Sequence, residues 1–100
     1  MRPEVEALAK LGPLPAERAA SVDFLQHHEK LYRSIRRPVT DEEARALVKL
    51  FGADDCFGLA ASLMHLVETA PGWPLEDCLR GSDNLWVNEL RGRASRGGLL

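Results

Sequence analysis

Between Cys56 and Val67 only Gly58, Ser62 and His65 interrupt a run of apolar residues, CFGLAASLMHLV, in a chain of 100 residues. Such a segment has to be enclosed. At about 100° per residue, Asp54, Asp55, Gly58, Ser62, His65 and Thr69 share one narrow stripe, and the rest of the circumference is apolar. A helix that is apolar on nearly every side is surrounded by other helices. The run therefore predicts a buried central helix near 55–69, capped by Asp54 or Asp55, with a polar stripe as the one place where it could meet a ligand or a partner.

Proline, glycine and short polar residues divide the rest of the chain. Pro3 suits the first turn of a helix and Gly12 its end, which predicts a helix over 3–11 with Val5, Leu8 and Leu11 inward. Gly12-Pro13-Leu14-Pro15 is then a stiff link, because two prolines forbid helix propagation. The next helix begins near Glu17 or, after an irregular spot at Ser21, near Asp23. It runs to about Ile35 with Leu25, His28, Leu31 or Tyr32, and Ile35 on one buried face. Thr40-Asp41-Glu42-Glu43 reads as a capping box opening a helix over 41–51, which Gly52 ends as a left-handed stop.

Pro71-Gly72-Trp73-Pro74 breaks the chain after the central helix, with Gly72 free to take a positive φ. Leu75 to Leu79 make one short helical turn, and Ser82 or Asp83 caps a last helix over 84–94, followed by a frayed tail at 95–100. No run of β-branched or aromatic residues alternates over four positions, so no strand is expected. The fold predicted is an all-α, single-domain bundle of about four to five helices covering residues 1–100.

Fifteen acids against thirteen bases leave a net charge of −2, which argues against nucleic acid as the main ligand, since phosphate neutralisation needs a basic face. No apolar run reaches the length of a secretory signal core or a membrane span, so the expected location is cytoplasmic, with no membrane contact. Cys56 and Cys78 would remain thiols there. Arginine is preferred over lysine, and alanine and leucine abound, a usage that fits a GC-rich bacterial genome.

The residues that could carry chemistry do not assemble into a reactive pattern. His27, His28, His65, Cys56 and Cys78 lack the paired spacing that presents two ligands together, so no metal is assigned. Ser62 and His65 with an acid would make a nucleophile and base, yet no G-x-S-x-G elbow occurs. The acid pairs Glu42-Glu43, Asp54-Asp55 and Glu76-Asp77 each sit at an expected helix start, where capping accounts for them. No glycine-rich phosphate cradle is present, and no cofactor is implied.

What is left points to binding. Trp73, rigidly placed between Gly72 and Pro74, either folds down as a lid on the core beside Leu75, the favoured placement, or stands out; with Glu68, Glu76 and Asp77 around it in sequence, it is a tryptophan with an acidic rim, suited to a basic protein surface. The expectation is a non-enzymatic protein-binding module of the bacterial immunity or antitoxin kind, using Trp73, Glu68, Glu76 and Asp77. One alternative is a small-molecule- or metal-binding domain using the stripe Asp55, Ser62 and His65. A homodimerising module joined through the last helix is another.

Overall fold

The structure is a computed structural model that describes residues 1–100, and it contains six α-helices and no strand. Helix α1 spans Pro3–Leu11, and Gly12 ends it with φ 78° and an N–H that donates to the Ala9 carbonyl. After the proline link, Glu17–Ala19 form a single 3-10 turn and Ser21 caps α2 (Val22–Ser34) by accepting from the Phe24 N–H. The irregular spot expected at Ser21 is thus the true helix start. Helix α3 (Asp41–Val48) opens with both bonds of the capping box: the Thr40 hydroxyl accepts from the Glu43 N–H at 3.1 Å, and Glu43 Oε1 from the Thr40 N–H at 2.9 Å. Helices α4 (Leu59–Val67), α5 (Glu76–Leu79) and α6 (Leu85–Arg96) complete the chain.

Helix α4 is the centre, packing against α2, α3 and α6, while α1 lies on α2 and α3. Six of its nine residues, Leu59, Ala60, Leu63, Met64, Leu66 and Val67, are buried. Each fully buried Leu or Met contributes about 1.5–3 kcal/mol of burial free energy, so this short helix anchors its three neighbours. It is shorter than its apolar run suggests. Cys56, Phe57 and Gly58 have φ of 47°, 55° and 90°, a left-handed path that no right-handed helix can include, so the helix starts at Leu59 and neither Asp54 nor Asp55 caps it.

Two further departures come from close approach. Helix α3 stops at Val48, and Leu50 and Phe51 are buried outside it. Gly52 has no positive φ; a Cβ there would strike the Leu14 carbonyl, where the Leu14 N–H donates to the Leu50 carbonyl at 2.8 Å. Gly72 likewise has no positive φ and lies against the Asp41 carboxylate, which accepts its N–H at 2.7 Å. Gly52 is needed for room rather than for handedness, whereas the contact at Gly72 is with the end of the Asp41 side chain, which can turn aside.

Helix α6 is capped by Asn84, not by Ser82 or Asp83. Its Oδ1 accepts from the Trp86 and Val87 N–H groups at 2.8 and 3.3 Å, and its amide nitrogen donates to the Gly52 carbonyl at 3.1 Å. The helix runs two residues beyond Ala94. It closes with Gly98 at φ 77°, the Gly98 N–H on the Ser95 carbonyl and the Leu99 N–H on the Ala94 carbonyl, the two bonds of a Schellman motif.

Two polar side chains are fully enclosed, His28 and Glu43. Glu43 is satisfied completely: besides Thr40, it accepts from Arg2 through Nε at 2.8 Å, the other guanidinium nitrogen at 2.9 Å and the backbone N–H at 3.2 Å. Arg2 also donates to the Arg36 and Pro38 carbonyls. One guanidinium therefore ties the start of α1 to the α2–α3 loop and to α3. The Arg2 hydrogen bond, helped by the Thr40 amide, holds the Glu43 carboxyl down at about 2 despite its burial.

Candidate functional site

Of the two placements open to Trp73, the structure has the lid. Trp73 is half-buried and packs against the hydrophobic core, as a lid rather than a projecting anchor. Of its expected acidic rim, Glu68 is held by Arg93 at 2.8 and 3.0 Å, with His65 Nδ1 at 3.6 Å on the other side. Asp77 is held by Arg45 at 2.9 and 3.3 Å, and this contact keeps its carboxyl below the usual range. Only Glu76 makes no side-chain bond. Two of the three carboxylates are thus already matched by arginines of α6 and α3.

The polar stripe divides. Asp55 lies off the helix in the turn before α4, where its Oδ1 is buried without a hydrogen-bond partner. Ser62 is exposed on α4 and lines a cleft with Leu25, Glu29, Phe57, Gly58 and Leu59. His65, 52% exposed, turns to Glu68. No group of three or more His, Cys, Asp or Glu residues gathers where it could hold a metal ion.

The turn at 54–58 has the most unusual geometry in the molecule. Cys56 O accepts from the Leu59 N–H at 3.1 Å across Phe57 and Gly58, both left-handed, which makes a type I′ turn. Gly58 suits it. Phe57 does not, since a side chain in left-handed backbone costs about 1–2 kcal/mol, and such strain persists only where surrounding bonds over-determine it. Those bonds are present. The Phe57 N–H donates to Glu17 Oε1 at 3.2 Å, the Glu17 N–H to Asp54 Oδ2 at 3.0 Å, and the Cys56 N–H to Asp54 Oδ1 at 3.0 Å. Trp86 Nε1 donates to the Asp54 carbonyl at 3.0 Å, so α6 also holds the turn. Held this way, the Phe57 ring is 63% exposed.

Beside the turn the core is polar in an unusual way. His28 is enclosed against Phe24, with ring centroids 4.3 Å apart, and its Nδ1 lies 3.4 Å from the Tyr32 hydroxyl, while Nε2 has no partner. Burial lowers its pKa to about 4, with a small push from His27. Burial also raises the Tyr32 hydroxyl and the Cys56 thiol, the latter further because Asp54, Glu17 and Asp55 stand near it. A thiol kept protonated and fully enclosed packs as a small hydrophobe and is not a nucleophile. Cys78 is likewise raised by burial and by Asp77, and its Sγ donates to the Leu75 carbonyl.

The chain matches no protein-family model, no curated protein and no solved structure. No helix is long and apolar enough to cross a membrane. Phe57 is the surface residue that sequence reasoning missed. Its signal was present in Asp54-Asp55-Cys56-Phe57-Gly58, where glycine in the first turn of a supposed helix marks a boundary instead.

Proposed function

We propose that this chain is a non-enzymatic protein-binding module, of the immunity or antitoxin kind, that covers a surface of another protein with the turn at 54–58. The observation that carries the reading is Phe57, an aromatic ring held out at 63% exposure on strained backbone by bonds from two distant parts of the chain, Glu17 and Trp86. Interfaces are dominated by a few rigid aromatic anchors, and a ring pre-positioned by its backbone loses little further entropy on binding. The matched carboxylates around Trp73 favour the Phe57 turn over the Trp73 face as the contact surface. Small size and a modest excess of acids fit this reading.

The test is affinity capture with three baits: the unaltered chain, Phe57→Ser, and the combined variant Trp73→Phe, Glu76→Gln, Asp77→Asn. A protein held in near-equal amount by the first and third baits and lost from the second is the expected result. Loss from the third bait alone would move the surface to Trp73. No stoichiometric protein on any bait would overturn the binding reading.

A further inference from the structure

We infer that the cleft between α2 and α4, walled by Phe57, receives a lysine or arginine side chain from a basic polypeptide partner; the inference rests on the protein-binding reading above. The cleft has a volume of about 530 Å³ and is lined by Leu25, Glu29, Phe57, Gly58, Leu59 and Ser62. Its apolar surfaces are Leu25, Leu59 and the Phe57 ring, which suit the methylene stem of a long basic side chain. Its polar groups are a carboxylate and a hydroxyl. No cation lines it.

The turn that walls the cleft carries carboxylates that lie outside any ion pair. Glu17 Oε1 lies 3.2 Å from the Phe57 nitrogen and Asp54 Oδ1 lies 3.0 Å from the Cys56 nitrogen, Asp55 adjoins them in the turn, and none of the three takes part in any ion pair of the molecule. Glu17 and Asp54 are satisfied by backbone N–H groups, which hold them in place and leave their charge. Glu29 pairs only with Arg33, one turn along α2, in an exposed contact of the kind that contributes little and is readily exchanged. A cation over the Phe57 ring would gain the attraction of the aromatic face as well. On the Trp73 face the ring packs against the core and Arg93 and Arg45 hold two of the three carboxylates, which leaves only Glu76 unpaired.

The test is an NMR titration of the whole 15N-labelled chain with a short peptide alternating arginine and leucine, and with the same peptide carrying glutamine for arginine. The expected result is amide shifts confined to Leu25, residues 57–59 and Ser62 for the arginine peptide. Affinity should be about tenfold weaker at high salt, where exposed charges are screened. The Glu29→Gln, Asp55→Asn double variant, shown to be folded by its circular dichroism, should bind comparably weakly at low salt. Equal binding of the glutamine peptide at the same amides would overturn the cationic specificity and leave the protein-binding reading intact. Shifts elsewhere, or none with either peptide, would overturn the assignment of the cleft. The protein-binding reading itself is decided separately, by capture with Phe57→Ser.

Discussion

Trp73 and Phe57 occupy comparable places in the sequence, each an aromatic residue in a glycine-containing turn with acids close by, and the fold uses them in opposite ways. At Trp73 the ring packs against the core and the neighbouring carboxylates are matched by arginines on other helices. At Phe57 the backbone is strained, the ring is exposed and the carboxylates of Glu17 and Asp54 bond only to backbone N–H groups. The first turn lowers the free energy of the fold. The second raises it locally and keeps a surface that a partner would complete. Acidic flanks around an aromatic residue therefore do not identify a binding surface until it is known which of the acids are already paired.

Several substitutions would sharpen or break this contrast. Glu43→Ala should have the largest effect, about 3 kcal/mol of lost stability, because the bonds from Arg2 and from the Thr40 N–H onto one buried carboxylate are lost together. Chemical denaturation would measure it, and partner affinity of the folded fraction should not change, since Glu43 serves the Trp73 side of the molecule through α3. Acid should act on the other side first. His28 has a folded pKa of about 4 against an unfolded value near 6.5, so its contribution is complete above pH 6.5 and is lost as pH falls toward 4, by roughly 2–3 kcal/mol. Glu43, lowered to about 2, then withdraws its contribution between its unfolded value of 4.5 and pH 2. Urea midpoints across this range should show both phases, and His28→Leu should flatten the upper one alone.

The aromatic residues should themselves respond in opposite senses. Trp73→Ala should cost about 2 kcal/mol, less than truncation of a fully buried tryptophan, with affinity unchanged. Phe57→Gly should raise stability by about 1 kcal/mol, as relief of left-handed strain exceeds the entropy cost of glycine, while binding is lost. A destabilised Phe57→Gly chain would mean that the ring contributes to folding and is not held out at a cost. Asp77→Asn should have the smallest effect, with no measurable shift in thermal midpoint, because the Arg45–Asp77 pair is exposed.

Much of the fold was legible because its signals are local. The capping box at Thr40, the proline at the start of α1 and the stop at Gly12 depend on residues within one or two turns, and each forms as read. The errors arose where distant segments decide. Gly52 is a glycine because the Leu14 carbonyl lies against it, and no neighbour in sequence carries that information. The length of the central helix failed for a related reason: apolar periodicity continues through Cys56 and Phe57, yet Glu17 and Trp86 hold this stretch in a turn. The candidate surface was therefore less legible than the fold. The pairing of Glu68 with Arg93 spans 25 positions and that of Asp77 with Arg45 spans 32, and these pairings separate the two aromatic turns.

The bond from Trp86 Nε1 to the Asp54 carbonyl has an optical consequence. An indole hydrogen-bonded to the turn that carries Phe57, and stacked on Phe51 at 6.4 Å, has an emission sensitive to any movement of that turn. With Trp73 replaced by phenylalanine, Trp86 is the sole tryptophan, a label-free fluorescent reporter bonded to a carbonyl three residues before the ring at issue.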